Sequence, residues 1–135
     1  MITPVACAVE RREEGDPKLV GQNTIHVLPE TRLAAIMGAG EHAEGFFCNY
    51  EPNADFMSRF ADAGLRVNAV GAQGELRGVE LAEHPFYVAT LFQPQLTSKR
   101  TGKPHPLIRA YVEAAHEYNV QAKKKARKTP APKRE

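Results

Sequence analysis

The chain is poor in cysteine: Cys7 and Cys48 are the only two among 135 residues. That is too few for a disulfide scaffold or a cysteine-rich zinc site, and it fits a cytoplasmic protein with reduced thiols. No stretch approaches 18 consecutive apolar residues, so a membrane-spanning helix is excluded. The start, Met-Ile-Thr-Pro-Val-Ala-Cys, lacks a basic segment followed by an apolar core, so no secretory signal is expected. Neither GxGxxG nor GxxxxGK[ST] occurs, which removes the usual phosphate-cradling loops. The five histidines, His26, His42, His84, His105 and His116, show neither HxxxH nor HxH spacing. With no Cys/His cluster either, no metal and no cofactor is expected.

The residues that are present describe one soluble domain. Hydrophobic residues make up 42% and charged residues 25% of the chain. The net charge of +2 conceals an uneven distribution. The last 13 residues, KKKARKTPAPKRE, hold seven of the 18 basic and one of the 16 acidic residues. The remaining 122 carry a balance of −4. The body is therefore not a nucleic-acid binder, and any such contact would be weak and confined to the basic tail. Two prolines and the lack of apolar side chains predict a disordered, solvated tail over residues 120–135 beyond a folded unit of residues 1–119.

Residues 2–9 read as a buried strand and residues 10–21 as a charged loop. Residues 23–28 alternate as a strand, followed by a short helix from Pro29 to Met37 that Gly38 ends. Residues 39–45 read as a turn-rich loop, and Phe46–Tyr50 as β-prone. Asn53 is a fair N-cap for a helix over 54–63, with Gly64 just past its end. Residues 65–70 and 76–81 flank a Gly-Ala-Gln-Gly turn and form the clearest hairpin. Phe86–Phe92 is almost continuously apolar, which predicts a central strand covered on both faces. Residues 96–106 read as a polar loop. A final helix over 106–119 has an apolar stripe of Leu107, Ile108, Tyr111, Val112 and Ala115. A sheet covered on both faces by so few helices looks incomplete. It predicts a chain that oligomerises or needs a partner segment.

The informative block is HPFYVATLFQPQLTSKRTGKPHPLI, residues 84–108. It resembles the end of the class I glutamine amidotransferase domain of CTP synthase. In that family a His-Pro turn precedes a buried strand, then Phe-His-Pro-Glu, a Pro-rich linker and a closing helix beginning Pro-Leu. Here His84-Pro85, Phe86–Phe92, Gln93-Pro94-Gln95 and Pro104–Leu107 stand in that order. Asn49-Tyr50-Glu51-Pro52-Asn53 is similar to the family's Arg-Tyr-Glu-Val-Asn. Residues 23–115 resemble the second half of the domain, most nearly in standalone CTP-synthase-C-terminal-like proteins that carry Gln-Pro. The implied fold is α/β: a partial class I glutamine amidotransferase-like, flavodoxin-like sheet with flanking helices and a β-hairpin.

The resemblance implies glutamine hydrolysis that feeds ammonia to UTP amination, a step of pyrimidine nucleotide biosynthesis. In the family a Cys attacks the glutamine amide, the His of His-Pro-Glu activates it, and the Glu orients the His. Here Gln93 takes the His position and Gln95 the Glu position. An amide side chain accepts no proton near neutral pH, and Gln95 brings no charge to support an imidazolium. No Gly-x-Cys-x-Gly segment occurs in these residues. The resemblance therefore implies a degenerate active site, with no intact catalytic residue in this chain. It also nominates Cys48, Asn49, Tyr50 and Glu51 as substrate-loop residues, with Cys48 where active members carry His. Cys48 reads either as a reactive thiol or as a packed neighbour of Phe46 and Phe47. Three functions follow: a degenerate glutaminase, a non-catalytic module binding glutamine, a related small molecule or a protein, or a fragment whose nucleophile lies upstream.

Overall fold

The computed structural model describes residues 2–4, 20–48 and 50–128. Among the described residues there are seven strands: β1 (Ile2–Pro4), β2 (Val20–Val27), β3 (Gly40–Phe47), β4 (Tyr50–Pro52), β5 (Leu65–Gly71), β6 (Leu76–Leu81) and β7 (Val88–Thr90). Four helices accompany them: α1 (Arg32–Met37), α2 (Met57–Asp62), α3 (Pro94–Thr101) and α4 (Pro106–Lys128). Strands β3-β2-β5-β6-β7 form one sheet in that order, and β1 pairs with β4 in a separate two-stranded sheet. Every pairing among the described residues is antiparallel. The mixed α/β class, the flanking helices and the hairpin of β5 and β6 agree with the sequence.

The main sheet curls. After β7 the chain crosses back to the opposite edge, where the Gln93 N–H donates to the Gly45 carbonyl of β3 at 2.7 Å. The inner surface holds Ile25, Val27 and Ala69 from the strands, closed by Leu33 of α1, Phe92 and Leu107. Ile25 and Val27 lie two apart, so the pleat points both inward. Between β2 and β3, α1 folds onto the sheet. Its N-cap Thr31 accepts from Ala34 N–H at 3.0 Å and donates to the Leu28 carbonyl at 2.7 Å. The buried Glu80 carboxylate of β6 takes the next two orphan donors, Arg32 N–H at 2.9 Å and Leu33 N–H at 3.2 Å. It also accepts from Asn68 Nδ2 at 3.3 Å. One carboxylate thus joins α1, β5 and β6.

A second buried carboxylate fixes the other end. Glu44 of β3 accepts from Thr97 Oγ1 of α3 at 2.7 Å and faces His105 Nε2, before α4, at 3.1 Å. His105 Nδ1 accepts from Leu107 N–H, which leaves Nε2 as the donor toward Glu44. Burial alone would raise the Glu44 pKa. The hydrogen bonds from His105 and Thr97, with the charges of His105 and His42, outweigh it and hold the pKa below the ordinary 4.5.

Several sequence expectations are corrected here. Residues 40–47 form a strand, not a loop, because β2 pairs with them along its whole length. Gly45 is required there by close approach: a Cβ would sit 2.7 Å from the Leu96 Cβ. Phe86–Phe92 is not a central strand. Only Val88–Thr90 is extended, at the sheet's edge, while Phe86 and Phe92 leave the strand to fill the core from either side. The strand expected to be buried over 2–9 is described only at residues 2–4, where Ile2 is 70% exposed and the pairing is with β4 outside the main sheet. Residues 5–9 lie outside the described residues, as do the loop over 10–19 and residues 129–135. The polar stretch after Pro94 is helical to Thr101 and ends on Gly102 at a φ of 67°. Helix α4 runs nine residues beyond Asn119, into the basic segment expected to be disordered. Its apolar stripe is mostly unburied: Ile108, Tyr111 and Val112 are 38%, 58% and 59% exposed. The 3.6-residue period forecasts an apolar face but not which neighbour covers it.

Two stability outcomes follow. Glu80→Ala leaves two buried helix donors and Asn68 without their acceptor, so urea unfolding should show a loss of about 3 kcal/mol. A loss below about 1 kcal/mol would remove the capping role. For Glu44 the folded pKa lies below the unfolded one. Its contribution is complete above pH 4.5 and is lost as pH falls through the folded pKa. Glu44→Gln should lower stability at pH 7, and the two proteins should converge as the pH is taken below 4.5. Parallel stability curves across that range would contradict the assignment.

Candidate functional site

The segment Gln93-Pro94-Gln95 lies where β7 gives way to α3. Pro94 occupies the first turn of α3, where its missing N–H costs nothing, and Gln93 is the N-cap residue. The main-chain bond from Gln93 to Gly45 holds this turn against β3. The side chain follows the same path: Gln93 Nε2 donates to the Phe47 carbonyl at 3.3 Å. Its Oε1 accepts from Gln95 Nε2 at 3.2 Å. The two glutamines are therefore joined, and the first is anchored beside Cys48.

Cys48 follows β3 directly and is half-buried and free. Its thiol donates to the Tyr50 carbonyl at 3.2 Å, and Tyr50 N–H approaches the sulfur at 3.5 Å. The thiol is thus engaged in its own turn. Asn49 lies outside the described residues. Tyr50 is exposed. Glu51 is buried and paired with Arg77, whose Nη1 donates to Glu51 Oε2 at 2.9 Å. Arg77 Nη2 also donates to Glu75 Oε1 at 2.6 Å. Burial tends to raise the Glu75 pKa, but main-chain donors at Glu75 and Gln73 and the Arg77 charge bring it below the ordinary carboxylate value.

Cys48, Tyr50 and Arg77 line a small cleft of about 20 Å³ together with Glu44 and Phe92, among others. That is room for about one water molecule. Arg77 Nε, buried, has no protein partner, and a single water in the cleft is the kind of group that would satisfy it. Gln93 reaches the Phe47 carbonyl beside Cys48, while Cys48 and Tyr50 share a turn that lines the cleft with Arg77. Gln95 contacts Gln93, Glu51 serves an internal ion pair with Arg77, and the thiol of Cys48 bonds its local turn. Arg77, Glu44, Thr97 and His105 were not singled out from the sequence. Glu44 and His105 stand 61 residues apart, and no local pattern joins them. Among the described residues no group of three or more His, Cys, Asp or Glu could hold a metal ion. None of their helices is long and apolar enough to cross a membrane.

Comparison with known proteins places this geometry. No protein-family model matches the chain. It is 36% identical over 112 residues to the CTP synthase of Saccharopolyspora erythraea, covering 81% of this chain and 20% of that protein. It is 32% identical over 117 residues to the CTP synthase of Pyrobaculum aerophilum, covering 82% and 22%. The chain thus spans about a fifth of the length of the curated relatives it matches. Among solved structures, the Trypanosoma brucei CTP synthase glutaminase domain with bound acivicin superposes with a TM-score of 0.72 at 21% identity. The match covers 86% of this chain and 46% of that one. The curled sheet and its helices are the class I glutamine amidotransferase fold, and the chain is related to the glutaminase domain of CTP synthase.

Proposed function

We propose that this chain is a non-hydrolysing relative of the CTP synthase glutaminase domain, acting in the cytoplasm as a binding module. The support is the amide pair. Gln93 and Gln95 stand where the resemblance puts the base and its orienting carboxylate. Gln93 donates to the Phe47 carbonyl and accepts from Gln95. An amide in this arrangement has no basic lone pair to take a thiol proton. General-base activation of a thiol needs such a group within hydrogen-bond reach.

The surroundings agree with that reading. The one cysteine beside the pair bonds its own turn. The cation of the adjoining cleft, Arg77, is engaged by two carboxylates. The cleft itself takes about one water and not a glutamine side chain. What the fold keeps is a frame of the glutaminase type, and a small molecule or a protein would be held on its surface outside this cleft. In this reading the chain contributes to pyrimidine nucleotide metabolism by binding and not by catalysis.

The test is ammonia release from glutamine by the purified full chain, set against its Cys48→Ser variant. Both should match the buffer blank, since losing the acting residues of a triad removes several orders of magnitude in rate. Release by the wild type well above the variant would assign Cys48 as a nucleophile and overturn the proposal.

A further inference from the structure

We propose that Cys48 is a site of reversible oxidation by hydroperoxides, its single added oxygen held in the adjoining cleft by the Arg77 Nε–H. The proposal does not depend on whether the chain hydrolyses glutamine. Two independent features meet in that cleft. Cys48, free and half-buried, lines it beside the exposed Tyr50. Arg77, only 6% exposed, lines it as well. The Arg77 guanidinium is fixed on two sides, Nη1 by Glu51 at 2.9 Å and Nη2 by Glu75 at 2.6 Å. Its Nε–H is left over, buried and without a protein partner.

A buried N–H of this kind is costly until an acceptor reaches it. The side chains of Ile25 and Phe92, which form the buried wall of the cleft, offer none. Glu44 lines the cleft too, but its Oε1 faces His105 and its Oε2 accepts from Thr97. The acceptor therefore comes from outside the chain, and it is small. The space of about 20 Å³ takes one oxygen atom with its hydrogens. A water meets that need loosely. An oxygen bonded to the Cys48 sulfur meets it from a fixed position, as the acceptor of a charge-assisted bond.

The chemistry balances with a hydroperoxide as the only co-reactant. The thiolate of Cys48 attacks one peroxide oxygen. The S–O bond forms, the O–O bond breaks, and the departing hydroxide or alkoxide takes a proton from solvent. Sulfur is oxidised by two electrons to the sulfenic acid, and the peroxide is reduced by the same two to water or an alcohol. Tyr50 N–H, 3.5 Å from the sulfur, stays directed at it throughout. A small thiol reverses the change by attacking the sulfenic sulfur, which releases water and leaves a mixed disulfide. The cleft has room for the first oxygen and not for the second peroxide that would carry sulfur on to the sulfinic acid. Oxidation should therefore pause after one oxygen.

The test uses hydrogen peroxide on the full chain with Cys7 changed to serine. Intact-mass spectra should show a species with one added oxygen, which dimedone captures at Cys48 and dithiothreitol returns to the thiol. An exposed cysteine supplies the reference: Gln121→Cys in a chain with Cys7 and Cys48 changed to serine. At equal peroxide the reference should pass to two and three oxygens about ten times faster than Cys48, the factor expected of one charge-assisted hydrogen bond. Arg77→Lys keeps the positive charge but not the Nε–H fixed by the guanidinium plane, and should remove that difference. A crystal structure of the peroxide-treated chain answers without any variant, and covers the case in which Arg77→Lys folds poorly. The added oxygen should stand within about 3 Å of Arg77 Nε. A Cys48 that takes up no oxygen while the reference does overturns the proposal. So does a Cys48 that runs on to the sulfinic acid as fast as the reference, a folded Arg77→Lys that pauses like the parent, or an added oxygen turned away from Arg77 to solvent.

Discussion

A buried carboxylate on the edge strand β3 organises the C-terminal third of this molecule. Glu44 cannot remain charged inside the protein without donors around it. It obtains them from Thr97 on α3 and His105 at the head of α4. Both donors lie after β7, at the far edge of a sheet in which Glu44 occupies the near edge. Satisfying one charge therefore requires the sheet to curl. The bond from Gln93 N–H to the adjacent Gly45 carbonyl completes the closure. Gly45 has no side chain because Leu96 already fills the space. The position of the Gln-Pro-Gln turn, the path of α3 and the start of α4 all follow.

The same logic recurs around the sheet and bears on function. Glu80 is held by two helix N–H groups and Asn68, and Glu51 and Glu75 by Arg77. In each case the carboxylate is matched to donors from the chain itself. A catalytic site built for an outside substrate keeps some of its polar groups directed at the place where charge develops. Here the polar groups nearest Cys48 are committed inward, apart from Arg77 Nε. A glutamine pair in place of a base and its orienter fits such an interior, since amides satisfy each other without needing a proton to move.

How far the sequence carried can be traced through particular residues. The hairpin of β5 and β6 was legible because alternation and a glycine-rich turn act over adjacent residues. Asn53 was legible as the start of a turn, its Oδ1 accepting from Asp55 N–H at 2.9 Å. That turn, however, is a 3-10 turn over Ala54–Phe56, and α2 itself begins at Met57 with Phe56 as its N-cap and not over 54–63 as expected. The relation to the glutaminase domain came from the order of motifs, which survives substitutions that erase the chemistry. The strand over 40–47 was hidden: glycines and glutamates there argue for a loop, and only full-length pairing with β2 overrides them. Helix α3 was hidden as well. Its contact with β3 runs through Leu96, Thr97 and Arg100, of which only Leu96 is apolar, so it leaves no apolar periodicity. The Glu44–His105 pair was beyond reach, because 61 residues separate partners that only the curled sheet brings together.

The apolar run over 86–92 shows the deeper reason for such misses. A continuous apolar segment reports that every side chain finds cover, not that the cover comes from two sheet faces. In this fold the run bends at both ends. Phe86 reaches the core beside α4, Phe92 enters it beside His105, and only three residues between them pair with β6. The strand is short because its flanks are spent on packing. That shortness places the Gln-Pro-Gln turn close enough to β3 to bond it. Had the strand continued to Phe92, Gln93 would have been carried past Gly45. Glu44 would then have lost the helix that supplies its first donor.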